Sequence, residues 1–143
     1  FAQRRNGVAS PRRGRIEGIG RPRVEPSFVP TVIDRMLQIP DTTSFAAALD
    51  LSARLGRRVG PSTGTNFVGV LRLAREMASR GETGSIVSLI CDAGERYADT
   101  LFEPRWQQTE RIADESLRRQ HLAVDALDAL AVADAGAMGQ SAA

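Results

Sequence analysis

The stretch Gly60-Pro61-Ser62-Thr63-Gly64-Thr65-Asn66-Phe67-Val68-Gly69 constrains this chain more than any other. Its small, hydroxyl-bearing residues make a turn, and the turn opens directly into a helical pattern. Val70, Leu71, Leu73, Ala74, Met77 and Ala78 recur at helical spacing, with Arg72, Arg75, Glu76 and Arg80 between them. Glycines on either side of Ser62-Thr63 let the backbone turn sharply, and either hydroxyl residue can cap the helix that follows. The unpaired N–H groups and positive dipole end at that helix mouth would face whatever sits beside Ser62. A hydroxyl donor in that position suits an acceptor atom of a ligand.

The chain has 143 residues, the size of one ordinary domain. No apolar run reaches the roughly 18 residues of a membrane span, so the expectation is a soluble, cytoplasmic protein with no membrane partner. The first residues are rich in arginine and lack the apolar core of a secretory signal. A start at Phe1 rather than Met hints at a piece of something longer. One cysteine, Cys91, excludes an internal disulfide and fits a reducing compartment. All 19 basic residues are arginine, and there is no lysine. Residues 1–23 hold seven arginines against Glu17 alone, whereas the remainder holds twelve against sixteen acids. The basic character therefore belongs to one end and not to a binding face. Without an interleaved aromatic pattern or a recognised module, the arm reads as solvated and no nucleic-acid partner is expected.

In chain order, residues 1–13 read as a basic flexible arm. Gly14-Arg15-Ile16-Glu17-Gly18-Ile19-Gly20 reads as a short alternating strand-like run and then a Gly-Ile-Gly loop, either a close approach of backbone to a neighbour or a simple turn. Pro22, Pro26 and Pro30 keep the next segment irregular. Val32 to Leu37 suits a short helical turn, while Met36 to Ile39 suits a strand, and the sequence leaves both open. Asp41-Thr42-Thr43-Ser44 starts a helix with Phe45, Ala46, Leu49, Leu51, Ala53 and Leu55 on its apolar side and Gly56 as its stop. Gly81 and Gly84 end the second helix. Ser85-Ile86-Val87-Ser88-Leu89-Ile90-Cys91 then reads as a buried strand of a parallel sheet, with Cys91 a buried thiol. Asp92 to Tyr97 would be the loop leaving that strand, where ligands of open α/β sheets bind. Gln107 to about Ala133 reads as one long or two shorter amphipathic helices, with a frayed end from Gly136. The fold class expected is α/β, a few mostly parallel strands with covering helices and a C-terminal amphipathic helical tail.

Two chemistries compete at the turn. Gly60-Pro61-Ser62-Thr63-Gly64 is a G-x-S-x-G string, followed by Asp92 and His121 in the acid–histidine order of an α/β-hydrolase. The preceding Leu55-Gly56-Arg57-Arg58-Val59 is not the apolar strand a nucleophile elbow needs, and His121 sits in a charged stretch. A metal site is not expected, because one Cys and one His thirty residues apart make no ligand cluster. Tyr97 and Trp106 read as packing aromatics.

Three segments, Ile16-Glu17-Gly18-Ile19-Gly20, Gly60-Pro61-Ser62-Thr63-Gly64 and Asp92-Ala93-Gly94-Glu95-Arg96-Tyr97-Ala98-Asp99-Thr100, together resemble the C-terminal part of a known family. Their order and spacing are similar to the pyridoxal-phosphate-dependent cysteine synthases and cystathionine β-synthase relatives of fold type II, above all the actinobacterial cysteine synthase-like and cysteine desulfhydrase-like branch. The resemblance covers about Gly14 to Trp106. It implies a partial fold-type-II large domain, similar to the tryptophan synthase β-subunit, over residues 14–106, with 107–143 as a helical tail.

The resemblance implies pyridoxal 5'-phosphate as cofactor, a small amino-acid substrate (an O-activated serine or cysteine), β-replacement or β-elimination, and a homodimer. Ser62 matches the serine whose hydroxyl hydrogen-bonds the pyridine nitrogen of the cofactor. Gly18 and Gly20 match glycines of the loop at the active-site mouth, with Arg21 standing where many relatives carry a small residue. Asp92 to Tyr97 match the loop beside the cofactor ring, with an orienting role. The family's Schiff-base lysine, phosphate loop and substrate-carboxylate loop have no counterpart here. The resemblance therefore makes an N-terminal half of the enzyme a required partner, and the chain alone is expected to be inactive, with an apolar face exposed. From other classes, a non-catalytic remnant or partner-binding protein and a serine hydrolase are the alternative readings.

Overall fold

The computed structural model describes residues 14–19 and 26–114. The arm at 1–13, Gly20 and Arg21, and the tail from 115 with His121, lie outside the described residues. The chain divides into two units, Phe1–Gln38 and Ile39–Ala143. In the first, Gly14 to Ile19 forms a turn and not the strand-like run expected. Ile19 N–H donates to Ile16 O (3.3 Å), and Gly18 adopts φ 81°, a conformation in which a side chain would be strained. A single 3-10 turn, Pro30–Val32, follows. Residues 33–40 are irregular, so the helical turn lies earlier than expected and no strand forms over Met36 to Ile39.

The second unit is built on a helix pair. α1 spans Asp41–Leu55, with Asp41 in its first turn and Gly56 closing it in the left-handed conformation (φ 64°). α2 spans Pro61–Ser79 and ends at Arg80, with Gly81 at φ 65°. The two helices pack against each other. The buried face of α1 is its N-terminal half, Thr43 to Ala48, whereas Leu55 is 45% exposed. Pro61, Gly64, Val68 and Leu71 form a buried stripe on α2 at spacings of three and four. Gly64 is where the backbones meet, because a Cβ there would fall on Ser44 O and lie 2.7 Å from Ala48 N. Beside this crossing, Thr65 Oγ1 donates to Ser44 Oγ (2.9 Å) and Ser44 Oγ donates to Pro40 O (3.3 Å). Past the end of α2, Arg80 donates from Nε and Nη2 to the Glu82 carboxylate (2.8 and 2.9 Å), which holds that exposed carboxyl below the usual glutamate range.

The short α3, Pro104–Thr109, is capped by Glu103, whose carboxylate accepts from Trp106 N–H. Trp106 meets Phe45 edge-on with ring centroids 5.1 Å apart, which brings α3 onto α1. Leu101 and Ile112 complete the core at 1% and 0% exposure. α3 ends at Thr109, with Glu110 as its C-cap and Arg111 at φ 59°, so no unbroken helix runs from Gln107 to Asp114; the rest of the helical tail expected to about Ala133 lies outside the described residues.

The expected strand is absent. Among the described residues the β structure is one isolated antiparallel bridge, Val59 with Ala93, so the few mostly parallel strands of the α/β expectation do not form. Residues 85–91 run without turn or bend, but Val87 is 91% exposed and Leu89 74%. Cys91 is likewise exposed, contrary to the buried thiol expected. The physical reason is the lack of a neighbour. A strand apolar on both faces requires flanking strands and covering layers, and among the described residues no other strand lies beside it.

One polar staple joins α1 to the turn before α2. Buried Ser52 Oγ donates to Ala48 O (2.6 Å) and accepts from Val59 N–H (3.0 Å). Ser52→Ala leaves that N–H without its acceptor beside Val59, which is 1% exposed. A loss of about 1–3 kcal/mol is expected, read as a lowered urea midpoint at unchanged slope.

Candidate functional site

The N-terminus of α2 is held from outside the helix. Gly60 is the N-cap and no side chain caps the helix, so neither Ser62 nor Thr63 plays the capping part that the sequence allowed. Gly60 O accepts from Thr63 N–H (3.1 Å) and Gly64 N–H (3.3 Å). Pro61 has no N–H, and the N–H of Ser62 finds no partner among the described residues. Ser62 is half-buried, and its Oγ, with no hydrogen-bond partner among the described residues, is open to solvent, since no fully buried side-chain polar atom there lacks a partner.

Around this mouth the segment 89–97 is fastened by its backbone. Gly60 N–H donates to Asp92 O (3.0 Å) and Gly94 N–H donates to Arg58 O (3.2 Å), flanking the Val59–Ala93 bridge. From α2, the buried Thr63 Oγ1 accepts from Cys91 N–H (3.0 Å), and Asn66 Nδ2 donates to Leu89 O (3.1 Å) and to Cys91 Sγ (3.4 Å). Thr63 and Asn66 are thus the residues that lay the segment against the helix. Their three-residue spacing on one helix face was the available signal.

The loop then folds into a 3-10 turn, Gly94–Tyr97. Tyr97 Oη donates to Asp92 Oδ2 (2.9 Å), and Arg96 Nη1 lies 3.6 Å from the same oxygen. A Cβ on Gly60 would sit 2.9 Å from Tyr97 Cε2 and 3.0 Å from Asp92 Cβ, so the tyrosine edge and Asp92 close directly on the residue that opens α2. Tyr97 is more than the packing aromatic expected of it. Ser62 and the Asp92–Tyr97 loop are gathered at one place. Gly18 belongs to the other unit, and Gly20 lies outside the described residues. The hydrolase reading gains nothing, since the Asp92 carboxylate is occupied by Tyr97 and Arg96. Among the described residues no cluster of metal-ligating side chains occurs, and no helix is long and apolar enough to cross a membrane.

The chain is 56% identical over 106 residues to the L-cysteine desulfhydrase Cds1 of Mycobacterium tuberculosis, which covers 74% of this chain and 29% of that protein. A putative cysteine synthase of Sinorhizobium fredii is 35% identical over 89 residues, 62% of this chain and 25% of the relative. The chain belongs to the cysteine synthase and cysteine desulfhydrase family. The family extends to the cystathionine beta-synthase of Saccharomyces cerevisiae, 28% identical over 108 residues, 72% of this chain and 20% of that protein. This member of the family thus spans between a fifth and three tenths of the length of these curated relatives. No family model and no solved structure matches the chain.

Proposed function

We propose that this chain forms the ring-nitrogen side of a pyridoxal-phosphate site in a cysteine desulfhydrase or cysteine synthase-type enzyme. The observation that carries the reading is Ser62: half-buried at the mouth of α2, with a hydroxyl that has no partner among the described residues. That donor set fits the acceptor nitrogen of a pyridine ring. A serine hydroxyl is neutral and does not hold that nitrogen protonated as a carboxylate would. When bound, the cofactor supplies the electron withdrawal that lets a β-substituent leave or be replaced on a small amino acid, cysteine or an O-activated serine. The chain's own part is to donate one hydrogen bond from Ser62 and to hold the Asp92–Tyr97 loop beside it.

The fit is partial. The chain has no lysine, so the amine that would hold the cofactor covalently must come from outside these 143 residues. One neutral hydrogen bond is worth about 1 kcal/mol net, too little to retain a phosphorylated pyridine. The partner proposed is therefore the remainder of the relatives' length, with a homodimer as the assembled form. A non-catalytic binding role is the second reading, favoured by the lysine-free composition and by the exposed apolar residues Val87, Leu89 and Ile90.

The test is a titration with pyridoxal 5'-phosphate followed by visible absorbance. The 143-residue chain alone should produce no new band, and addition of a lysine-bearing remainder should produce one. In that assembled form Ser62→Ala should weaken cofactor affinity about fivefold, the equivalent of one neutral hydrogen bond. A chain that develops the band unaided, or an assembly indifferent to Ser62→Ala, would overturn the reading.

A further inference from the structure

The N-terminus of α2 lacks a side-chain cap, so something else must fix where Ser62 points. We infer that Tyr97 is a positioning residue for Ser62, acting through the Asp92 carboxylate and Gly60; the inference rests on the cofactor reading above for its purpose, not for its geometry.

The chain of contacts is short. Tyr97 Oη donates to Asp92 Oδ2 at 2.9 Å, and Asp92 O accepts from Gly60 N–H at 3.0 Å. Together these tie the tyrosine hydroxyl to the backbone unit that precedes Pro61 and Ser62. The ring edge adds a steric stop, since the space a Cβ on Gly60 would take is already 2.9 Å from Tyr97 Cε2. The 3-10 turn Gly94–Tyr97 returns the chain so that the tyrosine reaches back over Asp92, five residues earlier. Both side chains are half-buried, which limits competition from water for the hydrogen bond. Arg96 at 3.6 Å faces the same oxygen from a more exposed position and adds charge without direction. Cutting the tyrosine–aspartate bond frees the Asp92 side chain, loosens its main-chain grip on Gly60, and lets the first turn of α2 rotate Ser62.

The test compares Tyr97→Phe, Asp92→Ala, Asp92→Asn and the Tyr97→Phe/Asp92→Ala double variant. In the 143-residue chain the readout is the amide resonance of Ser62 and the hydrogen-exchange rate of Gly60. Tyr97→Phe and Asp92→Ala should displace the Ser62 resonance in the same direction and speed Gly60 exchange several-fold. The double variant should do no more than either alone, because both cut one link. Asp92→Asn keeps a carbonyl acceptor for the tyrosine hydroxyl and should restore the wild-type Ser62 resonance. In the assembled, cofactor-loaded protein, Tyr97→Phe should shift the visible band in the direction that Ser62→Ala does. An unmoved Ser62 resonance in Tyr97→Phe, or additive effects in the double variant, would overturn the inference. If Ser62→Ala leaves the cofactor band untouched while Tyr97→Phe still moves the Ser62 amide, the cofactor reading fails and the positioning link stands.

Discussion

Gly64→Ala is expected to be among the most destabilising single-methyl additions this chain can suffer. The added carbon would fall on Ser44 O, 2.7 Å from Ala48 N and 2.9 Å from Ala48 Cβ. Two of those three atoms are backbone of α1, so no rotamer change relieves the clash and the helices must separate. Separation costs more than the crossing itself. It stretches the Thr65–Ser44 hydrogen bond and opens the packing of Ala46, Ala47 and Ala48, all fully buried. Overpacking typically costs about 1–3 kcal/mol, and a backbone obstacle puts this variant at or above the upper end. Against a total stability of about 5–15 kcal/mol that is a large share. The contrast is Gly69→Ala in the same helix, where an added Cβ meets nothing within 4 Å. Glycine in a helix costs about 0.5–1 kcal/mol relative to alanine, so Gly69→Ala should stabilise by that amount. Urea unfolding of the two variants, followed by helical circular dichroism, decides the matter: equal midpoints would mean that α1 and α2 do not cross at Gly64.

The same glycine shows how much of the fold was legible. Helix starts and stops are local chemistry, so Asp41, Gly56 and Gly81 marked their elements correctly within a residue or two, whereas α2 starts at Pro61 behind Gly60 and not at a capping Ser62 or Thr63. The close approach at Gly64 was not legible, because a glycine inside G-x-S-x-G reads equally well as part of a turn. The apolar side of α1 was drawn too long for a related reason. Periodicity names the side that could be buried, but only the partner decides how far burial extends, and α2 covers the N-terminal half.

The strand over residues 85–91 failed on non-local grounds. Its apolar run is a real signal for burial between two layers, but pairing needs neighbouring strands, and none forms among the described residues. What the chain does supply is the tether, from Thr63 and Asn66 to Cys91 and Leu89. At the candidate site, family resemblance picked out Ser62 and the 92–97 loop, and the geometry brings them together. The link between them, Tyr97 to Asp92 to Gly60, runs through a main-chain bond and a glycine, neither of which leaves a pattern in sequence.

Gly94→Ala is the second large effect, and it separates stability from site geometry. A Cβ on Gly94 would lie 2.5 Å from Arg58 Cβ, 2.6 Å from Arg58 C and 2.7 Å from Val59 N. These are again backbone and near-backbone atoms, so the Arg58–Gly60 and Asp92–Gly94 segments must part. Parting them removes the Gly94–Arg58 and Gly60–Asp92 hydrogen bonds that make the Val59–Ala93 bridge, and it uncovers Val59. A loss of about 2–6 kcal/mol follows from two net hydrogen bonds plus overpacking. Gly60→Ala makes the informative comparison. Its φ and ψ of −76° and 163° suit alanine; of the nearest obstacles, Tyr97 Cε2 at 2.9 Å belongs to a ring that can swing aside, and Asp92 Cβ at 3.0 Å, though fixed to the backbone, is less tightly met than the 2.5–2.7 Å contacts at Gly94. Gly60→Ala should therefore keep most of its stability while displacing the tyrosine that orients Ser62. Thermal unfolding should rank Gly94→Ala well below Gly60→Ala, whereas the Ser62 amide resonance should move in both. The opposite stability ranking would show that the loop is not clamped at Arg58, and an unmoved Ser62 in Gly60→Ala would show that the clamp does not reach the hydroxyl.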